Sequence, residues 1–111
     1  IYALSDLLVH QDDIRLLRTK DYIRNPKPNG YRSLHQILEI PVFLKEGKIF
    51  VKVEVQFRTI AMDFWASVDH KLRYKKNVVN EQEIMEKLRV CADSITAIDE
   101  EMQKIRNMIE A

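Results

Sequence analysis

Glu54, Gln56 and Arg58 stand at alternate positions of one run, with Lys52 before them. Side chains of a strand alternate between its faces, so these polar groups share a side, and Ile49, Val51, Val53, Val55 and Phe57 share the other. A carboxylate presented this way has two uses: it can hold Mg²⁺, or it can accept a proton from a hydroxyl nucleophile. In the preceding apolar run, Tyr31, Ser33, His35 and Glu39 fall on one face and Leu34, Leu38, Ile40 and Val42 on the other. If the apolar faces coincide, the opposite side gathers an aromatic ring, an imidazole, carboxylates, an amide and cations. Tyr31 follows a glycine-containing loop, which suits a ring offered to a base for stacking. Arg24, Lys27 and Arg58 are cations of the kind that neutralise phosphates. Phosphoryl-group transfer needs mainly positioning, a metal and such cations. A solvated face, normal for an antiparallel sheet, satisfies the same alternation.

The elements that must hold these groups are legible in outline. Ile1 to His10 carries Ile1, Leu4, Leu7 and Leu8 at helical spacing, and Ile14 to Ile23 reads as a strand. Arg24-Asn25-Pro26-Lys27-Pro28-Asn29-Gly30 can continue neither, because proline removes donors and Asn-Gly favours positive φ. Tyr31 to Leu44 and Lys48 to Arg58 form a pair of strands, and the short link Lys45-Glu46-Gly47 predicts an antiparallel hairpin. From Ile60 the period becomes helical: Ile60, Phe64, Val68 and Leu72 form a stripe with Trp65 beside it, and Phe64 and Trp65 are expected in the core. Asp63, Ser67, His70 and Tyr74 share another side of this helix. Asp69 stands four residues before Arg73, as in a surface ion pair, and His70 suits either a site or a packed helix end.

A break at Asn77 to Asn80 precedes a last helix over Glu81 to Glu110. Its apolar residues Ile84, Leu88, Cys91, Ile95, Ile98, Met102, Ile105 and Ile109 alternate spacings of four and three, a heptad seam for packing on its own domain or on another subunit. The order predicts an α+β domain with a mixed, largely antiparallel sheet flanked by helices.

At 111 residues the chain is long enough for one domain, and 18 Lys and Arg against 17 Asp and Glu exclude a generally basic nucleic-acid binder. One cysteine, Cys91, excludes an internal disulfide and a cysteine-based zinc site, and is expected to be a plain apolar thiol. No long uncharged apolar run or signal pattern is present, so a cytoplasmic protein without a membrane partner is expected. The chain opens at Ile1 inside a helical pattern and is expected to be cut from something longer.

Asp21-Tyr22-Ile23 followed by Pro26-Lys27-Pro28-Asn29-Gly30-Tyr31-Arg32-Ser33-Leu34-His35 strongly resembles the acceptor-nucleotide loop of RelA/SpoT-family synthetase domains. Val53-Glu54-Val55-Gln56-Phe57-Arg58-Thr59 resembles the family's Glu-x-Gln-x-Arg-Thr strand end. Ile60 to Ala66 and His70 to Lys75 resemble the small, single-domain alarmone synthetases in particular. The resemblance implies a nucleotidyltransferase-like fold and a GTP/GDP pyrophosphokinase, which moves pyrophosphate from ATP to the ribose 3′-hydroxyl of GDP or GTP with Mg²⁺. It implies that Tyr31 stacks on guanine and that Lys27 and His35 contact the acceptor and its phosphates. Glu54 would be the catalytic, Mg²⁺-holding glutamate, supported by Gln56 and Arg58. Asp63 and Asp69 would recognise guanine, with His70 beside them and Arg24 near phosphate; Asp63 stands where some relatives carry Asn. Tetramers through the C-terminal helix are also implied. The family's ATP-binding segment and its metal-binding aspartate would precede Ile1, so residues 1–111 are expected to be the acceptor part of one synthetase domain, inactive alone. The histidine-rich motif of the family's hydrolase domain is not visible. Competing readings are a non-catalytic assembly or regulatory module, and an RNA-binding module built on Arg24, Lys27, Arg32 and the Arg73-Lys75-Lys76 cluster.

Overall fold

The alternating runs pair as the hairpin they predict. In the computed structural model, which describes residues 1–75 and 77–111, the order is α1 (Tyr2–Val9), β1 (Arg15–Asp21), β2 (Leu34–Leu44), β3 (Gly47–Phe57), α2 (Ile60–Tyr74) and α3 (Glu81–Glu110). The chain divides into two compact units. One contains Ile1–Asn25 and Ser33–Arg58, the other Pro26–Arg32 and Thr59–Ala111.

The first unit is a three-stranded sheet in the order β1-β2-β3, antiparallel throughout, preceded by α1. Leu44 pairs with Gly47 across a two-residue turn, where the glycine's φ of +135° is a conformation side chains resist. Leu34 lies opposite Phe57, Leu38 opposite Val53 and Ile40 opposite Val51, so the apolar faces of β2 and β3 do coincide. Leu34, Leu38 and Phe57 are buried there, and Gln36, also buried, is the amide among them. β1 stops pairing at Arg15 opposite Glu39, with a bulge between Leu16 and Arg18. Beyond that point the hairpin is a two-stranded ribbon, and Phe43, Leu44, Ile49, Phe50 and Val51 are exposed. The strand expected from Tyr31 begins only at Leu34, after the loop. In α1 the helical spacing is right and the inward side is not the expected one: Ser5 is buried while Leu4 and Leu7 are exposed. Leu4, Leu7 and Leu8 instead border a groove with Phe57.

The second unit is a helical pair. Thr59 caps α2, its Oγ1 accepting from the Met62 N–H at 3.1 Å and donating to Asp99 of α3 at 2.6 Å. Trp65 donates from Nε1 to the Leu88 carbonyl at 2.7 Å. These bonds rotate α2 so that Met62 and Trp65 are buried, whereas Ile60 and Phe64 are 92% and 69% exposed. The expected core position of Phe64 is therefore corrected: the side turned to α3 is shifted from the Ile60–Phe64 stripe. The same adjustment occurs on α3, where Ala92 is buried and Cys91 is exposed. Ile84, Leu88 and Ile95 are half-buried along that line, and every residue from Glu100 onward is exposed. Asn77 and Asn80 turn the chain between the helices with φ of 60° and 64°, a region asparagine tolerates.

Candidate active site

The polar face of the sheet brings His35, Glu54, Gln56 and Arg58 together. His35 lies opposite Gln56, and Glu54 is the diagonal neighbour opposite Ile37. His35 Nδ1 and Glu54 Oε1 are 2.9 Å apart; the histidine side chain is 11% exposed and the glutamate 46%. Arg58 donates to Gln56 Oε1 at 2.7 Å. Burial pushes the His35 imidazole below its ordinary value, Glu54 pulls it up, and Arg58 and Lys20 add to the lowering. A neutral imidazole can donate from Nδ1 to Glu54 at this distance. An exposed carboxylate is a hard oxygen donor, which fits Mg²⁺ held by one or two carboxylates and substrate phosphates. No cluster of three or more metal-ligating side chains occurs among the described residues.

Groups to which the sequence reading gave no role support this face. Tyr22 meets the His35 ring edge-on at 5.3 Å, and its N–H donates to the Ser33 carbonyl at 2.9 Å. Lys20 lies directly opposite His35 on β1. Asp21 accepts from the Tyr2 hydroxyl at 2.8 Å and from the N–H groups of Ile23 and Arg24 at 3.0 Å each. Burial works to raise the Asp21 pKa. The Arg24 N–H, the Tyr2 hydroxyl, the Ile23 N–H and the Arg24 charge outweigh it and hold the carboxyl below its ordinary value. Arg24 lies 4.8 Å over the Tyr2 ring and 3.8 Å from Asp21, so it braces the turn after β1. Only the register, invisible in one sequence, could have placed Lys20; Asp21 and Tyr22 carried a motif without a role.

In the helical unit, the loop of Lys27 and Tyr31 closes on itself. The Lys27 N–H donates to the Tyr31 carbonyl at 3.1 Å, the Gly30 N–H to the Lys27 carbonyl at 2.9 Å, and the Tyr31 N–H to Asn29 Oδ1 at 3.0 Å. Gly30 takes φ +101°, which the turn requires. Lys27 Nζ sits 5.3 Å over the Tyr31 ring, and that ring meets Trp65 at 6.5 Å and 60°. Tyr31 therefore lies in this loop, ahead of β2.

The helix residues separate. Asp63 is exposed in the first turn of α2. Asp69 pairs with Arg73 at 2.9 Å and lines a cavity of about 90 Å³ with Asn29, Leu72, Glu81, Met85 and Leu88. His70 is exposed and packs its ring on Tyr74 at 4.7 Å. Asp63 and Asp69 thus face different sides of one helix. Of the cations in the RNA-binding reading, Arg24 and Arg73 are engaged by Asp21 and Asp69, and Lys76 lies outside the described residues. No helix among the described residues is long and apolar enough to cross a membrane.

A family model for the region found in RelA/SpoT proteins matches residues 1–79. The chain is 44% identical over 110 residues to the GTP pyrophosphokinase YwaC of Bacillus subtilis, covering 99% of this chain and 52% of that protein. It is 33% identical to the GTP pyrophosphokinase YjbM of the same organism, with the same coverage. Among solved structures, small alarmone synthetase 2 from Bacillus subtilis superposes with a TM-score of 0.90 at 47% identity, over 97% of this chain and 59% of that one. Small alarmone synthetase 1 from Bacillus subtilis, bound to its product pppGpp, superposes with a TM-score of 0.85 at 31% identity, over 99% of this chain and 56% of that one. The chain spans about half the length of the relatives it matches. With its α+β order, antiparallel sheet and Glu54-centred polar face, the chain belongs to the RelA/SpoT family.

Proposed function

We propose that the protein carrying this chain is a GTP/GDP pyrophosphokinase, and that these residues supply its acceptor side and catalytic glutamate. The observation that carries the reading is the Glu54–His35 pair, a carboxylate oxygen 2.9 Å from an imidazole nitrogen, in a chain whose relatives are named for this activity. Related structures hold pppGpp or the ATP analogue AMPCPP, which supports GDP or GTP as acceptor and ATP as donor. In the reaction the acceptor's 3′-oxygen attacks the β-phosphorus of ATP. The bond from that phosphorus to the α–β bridging oxygen breaks and AMP leaves. Glu54 accepts the hydroxyl proton, and when Mg²⁺ is bound it offsets the charge of the transferred group. His35 fixes the Glu54 carboxylate, while Gln56 and Arg58 brace this end of β3.

Tyr31 is the stacking platform for guanine and Lys27 a cation for the acceptor phosphates, consistent with their closed loop. Asp63, Asp69 and His70 are assigned to base recognition, and Arg24 to phosphate support through the turn it braces. Assembly through α3 is the reading that the exposed apolar residues Ile98, Met102, Ile105 and Ile109 support. The test is AMP and alarmone formation from ATP with GDP or GTP by the full-length protein beside Glu54→Gln. Loss of kcat by about 10²–10⁴ with retained acceptor binding is expected. Undiminished turnover in the variant would remove Glu54 from the chemistry.

A further inference from the structure

A flexible loop makes a poor stacking platform, because ordering it on binding consumes affinity. The loop Pro26–Arg32 is instead seated on its own helical pair, and the contact is unusually close. A Cβ added at Gly30 would lie 2.7 Å from the Ala92 Cβ, 3.4 Å from Trp65 Cζ2 and 3.6 Å from the Arg89 Cα. The Gly30 backbone therefore rests directly against α3, with no room for a Cβ at Gly30 beside the Ala92 methyl. Ala92 and Trp65 are 5% and 4% exposed. Trp65 is itself locked by its bond to the Leu88 carbonyl at 2.7 Å, and it meets the Tyr31 ring edge-on. The buried line of α3 runs Ile84, Leu88, Ala92, Ile95, and its smallest member falls where the loop crosses.

We propose that Ala92 and Trp65 are positioning residues for the acceptor base: together they form the floor that sets the height and tilt of Tyr31. This rests on the reading of Tyr31 as the guanine platform. Neither residue needs to touch the nucleotide. Ala92 acts by being small, since any larger side chain displaces Gly30 and with it the ring one residue later. Trp65 acts by giving that ring an edge to lean on. The helix carrying the exposed apolar ridge thereby also limits the geometry of the acceptor loop.

The experiment is steady-state kinetics on the full-length protein for wild type, Ala92→Leu, Ala92→Ser and Ala97→Gly. The last removes helix propensity at an exposed α3 position away from the loop. Ala92→Leu is expected to raise KM for GDP and GTP about tenfold with KM for ATP unchanged, as misplacement of a positioned group does. Ala92→Ser should lie between it and wild type. Ala97→Gly should lower the melting temperature and leave the acceptor KM alone. Wild-type acceptor KM in folded Ala92→Leu, or equal effects of Ala92→Leu and Ala97→Gly, overturns the proposal. If Ala92→Leu does not fold, an unchanged acceptor KM in Ala92→Ser overturns it instead. Wild-type protein that binds neither GDP nor GTP refutes the acceptor reading itself, a result distinct from all of these.

Discussion

His35 shows how one side chain joins burial to chemistry. Its ring is mostly enclosed, edged by Tyr22, and bonded to Glu54. Protonation would place a cation where burial and the neighbouring Lys20 and Arg58 disfavour it, so the folded value lies below the ordinary one. The sign follows from linkage. As pH falls, the unfolded chain takes up the proton first, so this contribution to stability holds above about pH 6.5 and is lost from there toward the folded value. NMR titration of the His35 ring should give a midpoint below about 6.5, and a midpoint at or above it would contradict the neutral pair. Alternation of residue types placed His35, Glu54 and Gln56 on one face correctly. It also ran the strand back to Tyr31, whereas β2 begins at Leu34 and Tyr31 lies in the loop ahead of it.

At the scale of elements, the strands, the hairpin turn and the limits of α3 were legible because period and turn chemistry are local. Which side of each helix faces inward was not. On α2 both Ile60–Phe64 and Met62–Trp65 have helical spacing, and the bonds from Thr59 to Asp99 and from Trp65 to Leu88 choose the second. Thr59 does two jobs, capping α2 and tying it to α3. Thr59→Ala should therefore cost about 1–2 kcal/mol, at the upper end for a lost cap. Chemical denaturation reads this directly, and Thr59→Ser, which keeps the hydroxyl, should recover most of it.

At the scale of the whole molecule, apolar surface lies unburied in both units. Ile98, Met102, Ile105, Met108 and Ile109 are between 42% and 78% exposed on the distal half of α3. The assembly proposed through α3 rests on this apolar ridge. On that proposal, Met102→Glu with Ile105→Glu lowers the particle mass seen by analytical ultracentrifugation, with the helix content retained. An unchanged mass would exclude this ridge from assembly.

The sequence by itself determined the α+β order, the loop that proline and Asn-Gly impose, the hairpin and the pairing of its apolar faces. Each follows from backbone preference and period within a few residues. It also carried the family, through spaced motifs that survive without any coordinates. Tertiary structure decided the rest: that Lys20 lies opposite His35, that Asp69, paired with Arg73 as its spacing predicts, also lines a cavity, and that Ala92 replaces Cys91 in the buried line. These depend on register, on helix rotation and on how closely two backbones approach. Such quantities are set by contacts between residues far apart in the chain, which no local pattern encodes.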